Sequence, residues 1–253
     1  SFPTRRSSDL KQTPKLVPLM KYPIPSRPFH TIASDIVGPL RTTENGNRFI
    51  LTFRDFTTRY TLLFPIKNKD TDTIINALRQ LIANYGSSQI LLTDNAAEYT
   101  SEKLRTFLSY YNCAKKEISA YHPSSQGFSE RINREINKLL RMYVFEYNLL
   151  DWDNFIPVIQ LAINNTFNKS INETPFYALY GYDPAHAVLN PPKFSYSEDP
   201  LIQHMQRVNQ IREHTRERLL NAQASFTDYA NKDREPKEIK VGQRVYADVR
   251  KHE

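Results

Sequence analysis

One cysteine, Cys113, is all that this 253-residue chain contains, so it cannot build a disulfide framework or a zinc site based on cysteine pairs. Long apolar runs are missing as well: nothing approaches the ~18 consecutive apolar residues of a membrane-spanning helix, and no membrane partner is expected. There is no internal repeat. A single cysteine is compatible with a reducing intracellular compartment. The proportions of apolar and charged residues, 40% and 24%, are those of a globular protein long enough to bury a full core.

Excess charge is also missing from the middle of the chain. Residues 29–200 carry 17 Lys and Arg against 18 Asp and Glu, whereas residues 1–28 carry 6 against 1 and residues 201–253 carry 11 against 8. The net +7 therefore sits in the flanks, where it could neutralise phosphates or simply aid solubility. Charge alone leaves both open.

The chain begins with Ser1, and Phe2–Leu10 reads as a translated sequencing-adapter oligonucleotide. Residues 1–10 are therefore set aside from the fold, and Arg5 and Arg6 from the charge reading. Residues 11–28, with Pro14, Pro18, Pro23, Pro25 and Pro28, read as a Pro-rich extended lead-in. Phe29–Val37, Phe49–Phe56 and Tyr60–Ile66 are β-branched and aromatic runs with tight connections, predicting an antiparallel meander. Helical spacing follows over Thr71–Tyr85, then a short strand at Gln89–Thr93, a helix at Ser101–Tyr111 and a strand at Ala114–Ile118. The turn-rich His122–Gly127 precedes a long helix from about Phe128 to Tyr147, with Leu139, Leu140, Val144 and Tyr147 on its buried face, and Trp152–Asn165 is another helix. This order predicts an α/β fold, a mixed five-stranded sheet flanked by helices, with its core over 29–185. Residues 186–200 read as a linker. Residues 201–233 form an amphipathic helical extension, a linker or coiled-coil arm whose seam runs from Leu201 through Met205, Val208, Ile211, Thr215, Leu219, Ala222 and Phe226 to Tyr229. Residues 240–253, with Val241–Tyr246 strand-like, read as the truncated start of a small C-terminal β domain.

Three acidic residues stand out against this frame. Asp35 ends the first apolar strand, Asp94 closes Ile90–Thr93, and Glu130 lies in the first turn expected of the long helix. Strand ends in a mixed sheet place side chains at one rim, so the two aspartates converge if their strands are neighbours, and Glu130 joins them if its helix starts beside that rim. Unpartnered, such carboxylates repel; with hard divalent cations bound, the same charge becomes a ligand set. The competing reading for any single strand-end aspartate is a turn cap.

The surrounding strings are distinctive. They are Asp35-Ile36-Val37-Gly38-Pro39-Leu40, then Thr93-Asp94-Asn95 with Glu98-Tyr99, then Tyr121-His122-Pro123-Ser124-Ser125-Gln126-Gly127-Phe128-Ser129-Glu130-Arg131. Asp94 and Glu130 have 35 residues between them, and Trp152, Asn164-Asn165 and Thr174–Pro184 follow. In this order and spacing, residues 29–185 resemble the integrase catalytic core of retroviruses and Ty3/gypsy-type long-terminal-repeat retrotransposons, with its D,D-35-E signature. The resemblance implies an RNase H-like fold. It implies Asp35, Asp94 and Glu130 as catalytic residues and ligands of two Mg²⁺ or Mn²⁺ ions, without a side-chain nucleophile. It implies 3′-end processing and strand transfer, with element ends and target DNA as partners, a homo-multimer, a nuclear location and no small-molecule substrate. Ala96 departs from the family, which usually has Gly there; a glycine permits positive φ or close backbone approach, so Ala96 is expected to strain the turn carrying Asp94. That departure and the apparent truncation of the chain keep open a domesticated or decayed integrase serving as a non-catalytic DNA- or protein-binding module. An RNase H-like nuclease or a cut-and-paste transposase would share the triad, but the strings around Glu130 and Tyr180-Gly181 disfavour both.

If the segment after Gly127 is helical, Arg134, Asn137, Lys138 and Arg141 share the face of Glu130. Arg134 and Asn137 fall where the family contacts its DNA terminus, although that second position is often basic there. Tyr121 and Gln126 lie in the loop before Glu130, which in the family is mobile and touches DNA. Lys115-Lys116 read as a solvated strand end rather than phosphate contacts, and His122 as a turn residue rather than a ligand.

Overall fold

The computed structural model describes residues 24–117, 123–142, 151–184 and 200–232, without the side chains of 123–131 and 200–205. Outside these lie residues 1–10, most of the lead-in, Ile118, Tyr121, His122, Val144, Tyr147, residues 186–199 and residues 240–253. The chain divides into two compact units, Pro23–Ala222 and a second made of Ser1–Tyr22 with Gln223–Glu253. Of the second, only the end of one helix is described.

The strands are β1 (Thr31–Val37), β2 (Phe49–Asp55), β3 (Thr61–Ile66), β4 (Ile90–Thr93) and β5 (Ala114–Glu117). They form one sheet in the order β3-β2-β1-β4-β5. β1–β2 and β2–β3 pair antiparallel, and β1–β4 and β4–β5 pair parallel. The mixed sheet is therefore as the sequence predicts. β1 starts two residues later than expected: Phe29 has φ 55° and its N–H is taken by Asp55 Oδ1 at 2.8 Å, so it sits in a turn.

Alternation along β1 sorts its neighbours. Ile32 and Ile36 pack with Leu51, Phe53 and Leu91 against α1 (Thr71–Tyr85) and α2 (Glu102–Tyr110). Val37, with Ile50 and Leu63, packs on the other face against α3 (Pro123–Leu140) and α4 (Ile156–Asn165). α1 is bounded by two local signals. Asp70 caps it by accepting from Thr73 N at 2.7 Å, and Gly86 at φ 83° closes it through a hydrogen bond to the Ile82 carbonyl.

α3 begins five residues before the expected start, at Pro123 instead of about Phe128. Proline suits a first helical turn because its missing N–H has no partner there, so the segment read as a turn supplies helical backbone. Ile132, Ile136 and Leu140 are its buried face, while Leu139 is half-buried. Conversely, α4 starts later than expected. Trp152–Phe155 forms a 3₁₀ turn, and the α-helix runs from Ile156 with Pro157 in its first turn.

The Thr-Pro-Phe-x-x-x-Tyr-Gly string forms a short capped helix, α5 (Pro175–Tyr180). Thr174 Oγ1 accepts from Tyr177 N at 3.1 Å, Pro175 opens the first turn, and Gly181 ends it at φ 78°. Phe176 and Tyr180 pack their rings on Tyr60. The amphipathic extension is a helix, α6 (Pro200–Asn231). Val208, Thr215 and Leu219 are buried, and Leu219 packs on Ile24, Ile171 and Ala178. Along the described seam the core thus covers Val208 to Leu219, whereas Ala222 is exposed and Phe226 and Tyr229 are 41% and 82% exposed.

The β3 edge of the sheet is closed by side-chain amides. Asn164, 1% exposed, accepts from Thr61 N and donates to Thr61 O, both at 2.8 Å. Gln160 accepts from Leu63 N at 2.8 Å. An edge strand otherwise leaves its main-chain groups unpaired. Asn164→Ala strands a buried donor and acceptor and should lower stability by about 2–4 kcal/mol. Urea unfolding of the variant against the native chain measures this.

Candidate active site

Asp35 lies on the face of β1 that carries Val37, toward α3 and α4, while Ser34 turns the other way with Ile32 and Ile36. The parallel register pairs Thr31 with Ile90, Ile32 with Leu91 and Ala33 with Leu92. Continued by two residues, that register sets Asp35 beside Asp94 on the same face, where neighbouring strands lie ~4.8 Å apart. The two carboxylates act on one common group. Burial drives the Tyr99 phenol pKa far up, the hydrogen bond from Ser34 opposes this, and the charges of Asp35 and Asp94 push it further up.

Among the described residues, each oxygen of Asp35 has one donor: Ile36 N to Oδ1 at 2.8 Å, and Asn133 Nδ2 to Oδ2 at 2.9 Å. Asp94 is exposed and accepts from Ala96 N at 3.3 Å. The strain expected at Ala96 is absent. It adopts φ −69°, ψ 150°, a region open to every L-residue, and packs against the core behind it. The close approach that does require glycine lies elsewhere. Gly38, at φ 130°, sits where a Cβ would come within 2.9 Å of both the Arg48 carbonyl and the Phe49 ring.

Asn133 is a site residue that the sequence reading missed. Its amide ties α3 to Asp35, and only the position of Asn133, one turn beyond Glu130, could have suggested it. Glu130 lies three residues earlier on the same helix, about 4.5 Å back along the axis and on a neighbouring line of the same face. Its side chain lies outside the described residues, as do the Gln126 side chain and all of Tyr121. Among the described residues, no three His, Cys, Asp or Glu side chains gather to hold a metal. The described pair still fits a hard divalent cation: carboxylate oxygens are its preferred donors, Asp35 keeps free lone pairs, and neither aspartate has a salt-bridge partner among the described residues.

Arg134, Asn137, Lys138 and Arg141 are all exposed. With Met142 they line a single surface concavity of about 370 Å³ on α3. Lys115 departs from its expected role. It is half-buried, and its Nζ donates to the Tyr99 carbonyl at 2.9 Å, so it supports the site's framework, while Lys116 is solvated as expected.

The loop between β1 and β2 is clamped beside this rim. Asp153 Oδ2 accepts from Thr43 Oγ1, Asn45 Nδ2 and Asn47 Nδ2 at 2.8, 3.1 and 2.7 Å, and the Trp152 indole donates to the Arg41 carbonyl at 2.6 Å. Burial alone would raise the Asp153 pKa, but the hydrogen bonds from Asn47, Asn45 and Thr43 outweigh it and hold the carboxyl below its ordinary value of 3.8. A depressed folded-state pKa gives stability that is present above the unfolded value and lost as pH falls through the folded one. Asp153→Ala should therefore cost about 2–3 kcal/mol at pH 7 and flatten the loss of stability below pH ~4. Urea midpoints between pH 7 and 3 measure both effects.

Residues 25–123 match the family model described as the integrase core domain. Over 159 residues the chain is 33% identical to the Pro-Pol polyprotein of feline foamy virus, covering 63% of this chain and 14% of that polyprotein. Over 200 residues it is 28% identical to the Transposon Tf2-3 polyprotein of Schizosaccharomyces pombe, covering 78% of this chain and 15% of that one. The chain thus spans a small fraction of the relatives it matches. Among solved structures, a chain of the simian T-cell lymphotropic virus intasome in complex with PP2A regulatory subunit B56 gamma matches with a TM-score of 0.57 at 20% identity, over 75% of this chain and 66% of that one. That likeness concerns the fold alone, and the fold is RNase H-like.

Proposed function

The chain carries an integrase core domain of the retroviral and Ty3/gypsy retrotransposon kind, and from that premise we propose that Asp35, Asp94 and Glu130 hold two Mg²⁺ or Mn²⁺ ions for 3′-end processing and DNA strand transfer. What supports this reading is the parallel β1–β4 register, which, continued two residues past the paired Ala33 and Leu92, would bring Asp35 and Asp94 to one face, together with the tie of α3 to Asp35 through Asn133. Bound there, such a metal pair supplies activation of an attacking oxygen and stabilisation of a leaving one during in-line phosphoryl displacement. The chain's own part is to orient. Ile36 N and Asn133 Nδ2 fix the Asp35 carboxylate, and the Ala96 amide holds Asp94. The attacking group is water in the first reaction and a DNA 3′-hydroxyl in the second, so no side-chain nucleophile is required. The ordinary backbone at Ala96 removes one of the two grounds for a non-catalytic reading. The enzyme would act as a homo-multimer and meet its target DNA in the nucleus.

Strand transfer of a labelled element-end oligonucleotide with Mn²⁺ tests the chemistry. The native chain should form product, and Asp94→Asn should reduce it by at least ~100-fold, because the charge stabilisation a metal provides is worth several kcal/mol. Full activity in that variant would remove Asp94 from the mechanism. DNA binding without any strand transfer by the native chain would favour the non-catalytic module.

The α3 concavity of Arg134, Asn137, Lys138 and Arg141 would receive the DNA end, with Tyr121 and Gln126 approaching from the segment before Glu130. Exposed cations on one helix face suit phosphates, and each neutralised phosphate steepens the dependence of log K on log salt by about 0.9. Arg134→Glu should weaken binding and reduce that slope by about 1. Fluorescence anisotropy across a salt series measures it, and an unchanged slope would remove Arg134 from the contact.

A further inference from the structure

The ladder between β1 and β4 ends before the site. Its paired residues are Thr31–Ala33 with Ile90–Leu92, so no main-chain pair holds Asp35 against Asp94. Past that point the two aspartate-bearing segments are joined by a side-chain hydrogen bond, Ser34 Oγ to Tyr99 OH at 2.8 Å. Both residues are 2% exposed.

Ser34 immediately precedes Asp35. Tyr99 ends the 3₁₀ turn Ala97–Tyr99 that follows Asp94, Asn95 and Ala96. That turn is closed on itself by Tyr99 N to Ala96 O at 3.0 Å, and Ala96 N reaches back to Asp94. Lys115 of β5 secures the Tyr99 carbonyl from the side. Tyr99 is thus the buried end of a short rigid segment with Asp94 at its other, solvent-exposed end. Without a cation, two adjacent carboxylates repel, and Asp94 lies beyond the ladder that would resist its displacement.

We propose that the Ser34–Tyr99 hydrogen bond is a positioning latch that sets the separation of Asp35 and Asp94 and thereby the affinity of the site for a divalent cation. It rests on the metal-site reading above. The latch lies on the α1/α2 side of the sheet, opposite the face that carries Asp35, so it acts through the aspartates and touches neither metal nor DNA. Groups that orient ligands from behind in this way typically change metal affinity when removed.

Tyr99→Phe, Ser34→Ala and the double variant of the full 253-residue chain separate positioning from general stability. Mn²⁺ affinity is titrated by electron paramagnetic resonance, and the thermal midpoint is measured without metal. Each single variant should bind Mn²⁺ about 10-fold more weakly, and the double no more weakly than the singles, because one bond is lost in all three. Each single also leaves a buried hydroxyl without its partner, whereas the double removes both hydroxyls, so its midpoint should recover toward the native value while Mn²⁺ affinity stays low. Native Mn²⁺ affinity in Tyr99→Phe, with binding abolished in Asp94→Asn, would overturn the latch and leave the metal site standing. Recovery of affinity together with the midpoint in the double variant would also overturn it. No saturable Mn²⁺ binding by the native chain would remove the metal site and the latch together. If Tyr99→Phe does not fold, Ser34→Ala decides by the same criteria.

Discussion

β1 is the member of the sheet on which the other placements depend, because it is central and its two faces are given to different tasks. Every second side chain, Ile32 and Ile36 with Ser34 between them, turns to the α1/α2 layer. Asp35 and Val37 turn to the α3/α4 layer. A one-residue slip would exchange these faces, setting a carboxylate among Ile74, Leu78 and Leu104 and taking two isoleucines out of the core. The antiparallel pairing with β2 covers Ile32 through Val37 and holds that register past the point where β4 stops. Apolar burial on both sides of one strand therefore fixes a charged side chain at the rim, which is how a stable core gives position to a site.

The helices extend this constraint differently. α3 has a buried line, Ile132, Ile136 and Leu140, and that line sets its rotation about its own axis. With the rotation fixed, Asn133 falls against Asp35, and Arg134, Asn137, Lys138 and Arg141 fall toward solvent. One amphipathic helix thus supplies a contact to the carboxylate site and a basic surface beside it. α4 serves the opposite end of the sheet, where Asn164 and Gln160 replace the missing neighbour strand of β3.

Features governed by short-range rules were legible in the sequence. β-branched and aromatic runs gave the strands, helical spacing gave α1, and Thr174, Pro175 and Gly181 explain α5, which the sequence offers only as a string. The two aspartates stand out in the sequence because an acidic residue closing an apolar strand is costly without a purpose; in the structure Asp35 lies within β1 and Asp94 directly follows β4. What escaped depends on long-range partners. Asn133, Asn164 and Asp153 meet groups that are 98, 103 and 106 to 110 residues away in the chain, and no local pattern marks them. Pro123 was read as part of a turn because proline and glycine punctuate loops, yet a proline is also at home in a first helical turn. Ala96 was expected to be strained because the residue type was weighed without its backbone angles. At φ −69° an alanine and a glycine are equally at ease.

The aspartates themselves show what separates a structural carboxylate from an available one. Asp55 is fully buried and takes Phe29 N, Thr58 N and Thr58 Oγ1; burial raises its pKa against the lowering effect of those hydrogen bonds. Asp153 gathers three side-chain donors on one oxygen, and its other oxygen is buried. In both, the lone pairs are spent on protein donors or shut away from solvent, which ties down a turn or a loop and leaves nothing for a ligand. Among the described residues, Asp35 has one donor on each oxygen, and exposed Asp94 has a single amide. These two are oriented without being saturated. A hard cation needs that combination, since it binds through lone pairs the protein has aimed but not used. Four aspartates of identical chemistry are thus sorted by how many described donors the fold brings to each, and the two left least satisfied are the two that the β1–β4 register, carried two residues past its last pair, would bring to one face.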